Sequence, residues 1–189
     1  MNICVIPARG GSKRIPRKNI KEFNGKSIIT YSIEAALNSN CFNRVIVSTN
    51  DDEISEVAIK YGAQVPFVRP KELSNDYIGT IPVIKHAIEW MEKDNIIFEN
   101  VCCLYATAPF ISPQIISKSY QQLKESKSDY CFSVTTFPFP IQRSIKLIKD
   151  KKVQMLYPKY LDTRSQDLEE TYHDAGQFYW GSTKAFKHE

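Results

Sequence analysis

Short apolar runs alternate with amphipathic stretches along most of the chain, and this alternation predicts the fold. The apolar runs are rich in β-branched residues and predict strands at 3–6, 44–49, 64–68, 101–105 and 130–134. Between them, apolar residues recur at helical spacing and predict helices within 27–38, 50–62, 80–91 and 112–124. The order β-α-β-α-β-α-β-α-β predicts an α/β, Rossmann-like fold: a mainly parallel twisted sheet with helices on both faces.

Several element boundaries carry their own signals. Ser112-Pro113 combines a capping side chain with a proline that suits the first helical turn. Asn50 precedes three acidic residues and is predicted to cap the second helix, and Thr80 is predicted to cap the third. Pro66 lacks a backbone donor, which predicts that the strand at 64–68 lies near an edge.

The pattern changes after residue 136. The sequence 137–140 reads Phe-Pro-Phe-Pro, which excludes a regular helix or a central strand, and residues 145–157 alternate like a hairpin. A strand returns at 177–180. We interpret 1–189 as a single domain in which 137–175 forms a small β-rich excursion, either a lid or a dimerisation arm.

Composition narrows the function class without deciding it. Hydrophobic residues make up 42% and charged residues 24%, and the net charge of +4 is concentrated near the amino terminus. No nucleic-acid or membrane partner is therefore expected, and no signal peptide or membrane-spanning run is evident. The five cysteines lack metal-site spacing, so we expect buried reduced thiols and a cytoplasmic location.

The candidate chemistry is concentrated in residues 7–19, here called the glycine loop, which follow the first strand directly. This loop contains paired glycines, a serine and five cations before any acidic residue, a combination suited to binding a polyphosphate. Its spacing matches neither G-x-x-x-x-G-K-[ST] nor G-x-G-x-x-G, so a P-loop kinase and a dinucleotide-binding fold are disfavoured. A solvated basic loop is the plain alternative. An RNA-binding module is disfavoured because no aromatic residue interrupts the cations.

Residues 6–20 resemble the nucleotide loop of the sialic-acid-type cytidylyltransferases, and the resemblance continues through 47–49, 69–70, Thr80 and 106–109. It covers essentially the whole chain. The resemblance implies a nucleotide-diphospho-sugar transferase fold, and CTP and a nonulosonic acid as substrates. It also implies attack of the sugar's anomeric hydroxyl on the α-phosphate, with release of pyrophosphate. A homodimer is expected by the same resemblance.

Nucleotidyl transfer requires cations that hold the triphosphate and neutralise the charge that builds up on it. The predicted catalytic residues are therefore Arg9, Lys13, Arg14 and Lys18. The loop and its neighbours at the carboxyl ends of the strands are the predicted nucleotide-binding residues, namely Ala8, Gly10, Gly11, Ser12, Asn19, Ser48, Arg69 and Thr80. For Arg69, a structural ion pair with Glu72 is an equally open interpretation.

The later segments 137–143 and 163–181 resemble the pseudaminic acid cytidylyltransferase branch of the family, and Tyr105 stands where the N-acetylneuraminate branch has glutamine. The predicted sugar-binding residues are Tyr105, Thr107, Gln142, Arg143, Arg164, Gln166, Asp167, His173 and Asp174. Among them, the arginines are the candidate partners of the sugar carboxylate. Dimer contacts or turn caps are the alternative roles. Alternative functions are CMP-N-acetylneuraminate or CMP-legionaminate synthesis, or CTP binding without catalysis.

The resemblance also implies a divalent cation, usually Mg²⁺, held by a carboxylate pair close to the family's carboxyl terminus. No equivalent pair follows Trp180 in this sequence, so the metal ligands are expected beyond residue 189. The terminal strand and helix of the family fold are accordingly expected to be missing. Asp167 and Asp174 are the remaining, weaker candidates.

Overall fold

The computed structural model describes residues 1–188. Their strands are β1 (Asn2–Pro7), β2 (Glu22–Phe23), β3 (Lys26–Ser27), β4 (Arg44–Ser48), β5 (Asn100–Leu104), β6 (Tyr130–Thr136), β7 (Ile145–Leu147), β8 (Val153–Met155) and β9 (Tyr172–Ser182). Their α-helices are α1 (Ile28–Asn38), α2 (Asp52–Lys60), α3 (Thr80–Lys93), α4 (Pro113–Ser126) and α5 (Thr183–His188). Among these described helices, none has the length and apolar character needed to cross a membrane.

The central sheet has the strand order β4-β1-β5-β9-β6. β1 pairs in parallel with β4 on one side and with β5 on the other, with Ile3 opposite Arg44 and Val101. β9 pairs antiparallel with β5, so that Trp180 lies opposite Cys102. The predicted α/β fold with a mainly parallel sheet is therefore confirmed, and one antiparallel strand is inserted next to its centre.

Apolar side chains cover both faces of the sheet. One buried cluster brings α1, α2 and α4 together and includes Trp180, whose ring stacks between those of Phe42 and Tyr120. The Trp180 indole N–H donates to the Ile116 carbonyl at 3.1 Å, so this buried polar atom is satisfied. The other cluster packs α3 and α5 onto the opposite face, with Phe186 fully enclosed.

The helix signals mostly locate the helices correctly. Ser112 caps α4 by accepting from the Ile115 N–H, as predicted. The capping residue of α2 is Asp51 rather than Asn50, because the Asp51 carboxylate reaches the Ile54 N–H at 3.0 Å. The capping residue of α3 is Gly79, so the prediction for Thr80 is wrong: Thr80 is the first helical residue.

The strand predicted at 64–68 is wrong. Only two isolated bridges form there, Ile46 with Gln64 and Thr49 with Val68. Pro66 removes the donor that a continuous ladder would need between them. Sequence analysis also missed the hairpin of β2 and β3, whose turn is Asn24-Gly25 with positive φ at both residues.

The chain divides into two compact units, residues 1–132 with 176–189, and residues 133–175. In the second unit, β7 and β8 form an antiparallel hairpin with Ile145 opposite Met155. The Ile148 N–H donates to the Lys152 carbonyl at 2.8 Å and closes the turn, which confirms the hairpin predicted at 145–157.

Candidate functional site

A pocket lies at the carboxyl ends of β1 and β5, where ligands bind in open parallel sheets. We call it the loop pocket, because one wall is the glycine loop and the other is the segment leading into α3. Its lining includes eight of the predicted site residues, namely Arg9, Ser12, Lys18, Asn19, Arg69, Thr80, Tyr105 and Thr107. The fold therefore brings together residues that are separated by up to a hundred positions in sequence.

The start of the glycine loop is fastened to the end of β4. The Ala8 N–H donates to the Ser48 carbonyl at 2.9 Å, and the Gly10 N–H donates to the Asn50 side-chain oxygen at 3.2 Å. Ala8 and Ser48 are buried and do not line the loop pocket. These two predicted nucleotide-binding residues therefore hold the start of the loop in place through their backbone bond and lie outside the lining of the loop pocket.

Gly10 is required for a close approach rather than for a positive φ. A Cβ atom at Gly10 would lie 2.3 Å from the Asp51 carboxylate, whereas a Cβ at Gly11 would meet nothing within 4 Å. Neither glycine has a positive φ, so the expectation that they allow a left-handed turn is wrong. The residue of the loop that adopts the left-handed conformation is Arg17, with φ of 54°.

Arg17 ties the far end of the loop to the start of α2. Its guanidinium binds both oxygens of Asp51, at 2.5 and 2.9 Å, and also contacts Glu53. The bonds from Arg17 hold the pKa of the Asp51 carboxyl below its ordinary value, and the Ile54 N–H acts in the same direction. Asp51 therefore serves the helix cap and the loop at once. Sequence analysis missed this contact, although a carboxylate in a predicted cap beside a cationic loop was a usable signal.

Asn19 stabilises the loop from within. Its side-chain N–H₂ donates to the Arg9 carbonyl at 2.9 Å, and the residue is buried while still lining the loop pocket. This bond spans the loop and holds the Arg9 backbone in place. The predicted nucleotide contact of Asn19 thus comes together with a structural role.

Arg69 is the most unusual charged residue of the pocket, because only 3% of its surface is exposed. Its backbone N–H donates to the Thr49 carbonyl at 2.7 Å, but Nε and one terminal nitrogen have no partner within residues 1–188. Burial, with a smaller contribution from the charge of Arg9, lowers the pKa of Arg69 to about 10. The alternative ion pair with Glu72 is not among the ion pairs of the described residues.

Lys13 and Arg14 line a separate space next to the loop pocket, here called the outer cavity. Arg9, Ser12 and Lys18 line both spaces, so the two adjoin along the loop. Asp76 also lines the outer cavity and forms ion pairs with Arg9 at 2.7 Å and Lys13 at 2.6 Å. The bonds from Lys13 and Arg9 lower the pKa of the Asp76 carboxyl.

Tyr105 and Thr107 close the side of the loop pocket that follows β5. The hydroxyl groups of Tyr105 and Thr80 lie 3.4 Å apart, and the Tyr105 carbonyl accepts from the Ser32 hydroxyl at 2.8 Å. Tyr105 also lines an aromatic cavity together with Phe132 and Tyr179. The Tyr105 side chain therefore lies at a boundary between a polar and an apolar space.

The remaining predicted sugar-binding residues lie in the second unit. Arg143 donates to the carbonyls of Leu161 and Thr163, so its guanidinium holds two turns of that unit together. Gln142 is buried and donates to the Glu169 carbonyl at 3.0 Å. These two side chains stabilise the local fold whatever else they bind.

The other residues of this group are more accessible. Arg164 is exposed and forms an ion pair with Asp167 at 2.6 Å, and Gln166 lies exposed between them. The His173 ring meets that of Phe137 edge-on, and its Nδ1 lies 2.9 Å from the Asp174 carbonyl. The neighbouring His173 and Asp174 are thus linked through the backbone in this contact.

Within residues 1–188, no three His, Cys, Asp or Glu side chains come together as a metal site. Asp51, Glu53 and Asp76, the carboxylates that form ion pairs with the glycine loop, are bound by its arginine and lysine side chains. The carboxylates of the described residues therefore do not by themselves make a divalent-cation site.

Comparison with known proteins gives a consistent picture. A family model described as cytidylyltransferase matches residues 3–182. A pseudaminic acid cytidylyltransferase of Campylobacter jejuni is 51% identical over 188 residues, covering 100% of this chain and 81% of that protein. A CMP-N,N'-diacetyllegionaminic acid synthase of Legionella pneumophila is 39% identical over 114 residues, covering 60% of this chain and 49% of that protein.

The solved structures agree on the fold. The structure of a CMP:2-keto-3-deoxy-manno-octonic acid synthetase complexed with CTP superposes with a TM-score of 0.71 at 18% identity. The match covers 98% of this chain and 76% of that one. The predicted nucleotidyltransferase architecture is thereby confirmed.

Proposed function

The chain belongs to the cytidylyltransferase family, and from this premise we propose that it converts CTP and pseudaminic acid into the CMP-sugar and pyrophosphate. It is therefore an enzyme of the nucleotidyltransferase class. The match to pseudaminic acid cytidylyltransferase extends over the whole chain, whereas the match to the legionaminic acid enzyme covers 60% of it.

One structural observation carries the nucleotide half of the proposal: Arg69 is buried with unpartnered N–H groups and lies close enough to Arg9 for their charges to repel. Buried donors without a partner are costly, so the pocket is complementary to a ligand that supplies acceptors. CTP supplies both kinds that are needed. Its cytosine carbonyl accepts from a guanidinium, and its phosphates neutralise the cations of the glycine loop.

The reaction joins the anomeric oxygen of the sugar to the α-phosphorus, while the bond from that phosphorus to the pyrophosphate oxygen breaks. The hydroxyl proton is released, and the negative charge that develops on the leaving group must be neutralised. Arg9, Lys13, Arg14 and Lys18 provide four positive charges for this purpose along one loop. The bond from Asn19 to the Arg9 carbonyl keeps the loop ordered before the substrate arrives.

For the sugar half, each unit by itself holds candidate residues: Tyr105 and Thr107 line the loop pocket of the first unit, and the second unit has its own accessible polar residues. Arg164 is the better candidate for the sugar carboxylate, since the Arg143 guanidinium already donates to two carbonyls. Asp167 binds Arg164 through Nε and one terminal nitrogen, which leaves donors of the guanidinium for the sugar carboxylate. We propose that Asp167 itself accepts from a sugar hydroxyl.

The direct test is pyrophosphate release with CTP, Mg²⁺ and a panel of nonulosonic acids. We expect turnover with pseudaminic acid and about 5- to 160-fold lower kcat/KM with N-acetylneuraminate and legionaminic acid, since one ill-fitting polar group costs about 1–3 kcal/mol. Preferential turnover of either alternative sugar would overturn the assignment of pseudaminic acid. Binding of CTP without turnover of any sugar would show that the chain binds the nucleotide without catalysis.

We also propose that Mg²⁺ acts as the cofactor, that the protein is a homodimer and that it works in the cytoplasm. Mg²⁺ is commonly held by substrate phosphates with few protein ligands, and in this role it would neutralise phosphate charge.

Apolar side chains of the second unit such as Phe139 and Leu147 are exposed and suit an interface. All five cysteines are free thiols, which suits a reducing compartment. Light scattering on the purified protein tests the dimer.

A further inference from the structure

Asp76 binds two of the cations that the proposed reaction assigns to the phosphates. It lies in residues 74–79, the segment between the short helical turn Lys71–Leu73 and α3. One carboxylate oxygen lies 2.7 Å from an Arg9 terminal nitrogen, and the other lies 2.6 Å from the Lys13 ammonium. The carboxylate therefore meets these cations as two oxygens of a phosphate chain would.

The same segment forms part of the wall of the loop pocket, to which it contributes Asn75, Ile78 and Gly79. The Asn75 side-chain oxygen accepts from the N–H groups of Tyr77 and Ile78 at 2.9 and 3.1 Å, which holds the turn around Asp76. The Tyr77 side chain is 96% exposed, so its ring does not pack against the rest of the unit. Two ion pairs of Asp76 join this turn to the glycine loop.

We propose that Asp76 is a built-in competitor of the nucleotide's phosphates. It occupies Arg9 and Lys13 in the nucleotide-free protein and gives them up when a triphosphate binds. The inference rests on the proposed function, since that function places the phosphates on these two cations. Both partners of Asp76 are partly or largely exposed, with Lys13 at 83%, so the ion pairs are weak enough for a highly charged ligand to replace.

Competition by Asp76 makes binding depend on the number of phosphates. A ligand shifts such an equilibrium only as far as it prefers the open state. A triphosphate replaces both contacts of the carboxylate, so its affinity rises when Asp76 is removed. A monophosphate reaches fewer of the loop cations, so its affinity rises less. Asp76 thus favours CTP over CMP at a site that binds the same base in both.

The test is calorimetric titration of the full chain and its Asp76→Asn variant with CTP, CDP, CMP and inorganic tripolyphosphate. We expect the variant to bind CTP and tripolyphosphate about three- to tenfold more tightly, the range for losing competition from two exposed ion pairs. The gain should fall from CTP to CDP to CMP. Weaker or unchanged binding of CTP and tripolyphosphate, or an equal gain for all three nucleotides, would overturn the proposal.

Glu72→Gln is the matched control, because it removes the same unit charge from an exposed residue of the adjoining turn. Glu72 forms no ion pair within the described residues, so we expect changes below twofold for every ligand. A gain as large as that of Asp76→Asn would assign the effect to net charge and overturn the proposal. Circular dichroism checks that both variants fold, and Asp76→Ala replaces Asp76→Asn if the latter does not.

Tripolyphosphate separates this inference from the proposed function. A protein that binds CTP no better than UTP, and turns over no sugar, would contradict the proposed function. The effect of Asp76→Asn on tripolyphosphate would still be measured in that case, because that ligand has no base.

Discussion

The substitution Gly10→Ala tests how the glycine loop is held. A Cβ at this position would lie 2.3 Å from Asp51 Oδ2 and 2.9 Å from Asp51 Cβ. Since carbon–oxygen and carbon–carbon contacts are comfortable near 3.5 Å, one side must move by about 1 Å. Asp51 is held by two bonds from Arg17 and one from the Ile54 N–H, so its movement breaks a helix cap and an ion pair together.

These contacts set the magnitude of the effect. Loss of the cap costs about 1 kcal/mol, and overpacking costs about 1–3 kcal/mol, so we expect the unfolding free energy to fall by about 2–4 kcal/mol. For a chain of 189 residues this corresponds to a decrease in Tm of about 4–16 °C. The displaced loop should also raise the Kd for CTP at least about tenfold, since its N–H groups and cations leave their places.

Denaturant unfolding gives the stability, and calorimetric titration gives the CTP affinity. Gly11→Ala is the matched control: its Cβ would meet nothing within 4 Å, and we expect its unfolding free energy to stay within about 0.5 kcal/mol of wild type. In an Asp51→Gly background, Gly10→Ala should cost less than about 1 kcal/mol, because the atoms that it would strike are gone. Equal costs at both glycines, or full additivity with Asp51→Gly, would refute the reasoning.

Four further outcomes follow from the site. Lys13→Ala and Arg14→Ala should each lower kcat/KM at least about tenfold in the pyrophosphate assay, with Tm unchanged because both side chains are exposed. Arg17 lowers the pKa of Asp51, so this pair stabilises the native state above the ordinary carboxyl pKa of about 3.9, and its contribution is lost as pH falls through the lower native value. Urea unfolding of Asp51→Asn should therefore show a shallower loss of stability below about pH 4. Arg69→Lys should reduce the preference for CTP over UTP in competition titrations, since lysine cannot present the planar set of donors. Addition of EDTA should stop pyrophosphate release, and excess Mg²⁺ should restore it.

The architecture was predictable from the sequence because local pattern and tertiary packing agree. β-branched runs such as Val45–Val47 became buried parallel strands, and the Ser112-Pro113 signal located a helix start to the residue. The strand prediction at 64–68 was wrong because only two of its residues pair, as isolated bridges, with Pro66 between them. The β2–β3 hairpin has a clear turn signal in Asn24-Gly25, a dipeptide that favours positive φ at both residues.

The details of the site depend on contacts that no local pattern encodes. Gly10 and Gly11 are identical neighbours in sequence, yet only Gly10 is packed against Asp51. Asp76 reaches Arg9 across more than sixty residues, so its role depends on how the loop before α3 folds back. The roles of the predicted nucleotide- and sugar-binding residues stay predictions, and the contacts described above are the basis for testing them.

The position of β9 has a consequence for synthesis of the protein. β9 lies between β5 and β6 in the sheet although the ribosome makes it after both. Sixty-seven residues lie between the end of β5 at Leu104 and the start of β9 at Tyr172, and their translation takes about 3–13 s. During that interval the wholly apolar centre of β5 has a single strand beside it and an open hydrogen-bonding edge. The nascent chain therefore keeps this edge of β5 open until β9 emerges, and slower translation of residues 105–171 prolongs the exposure.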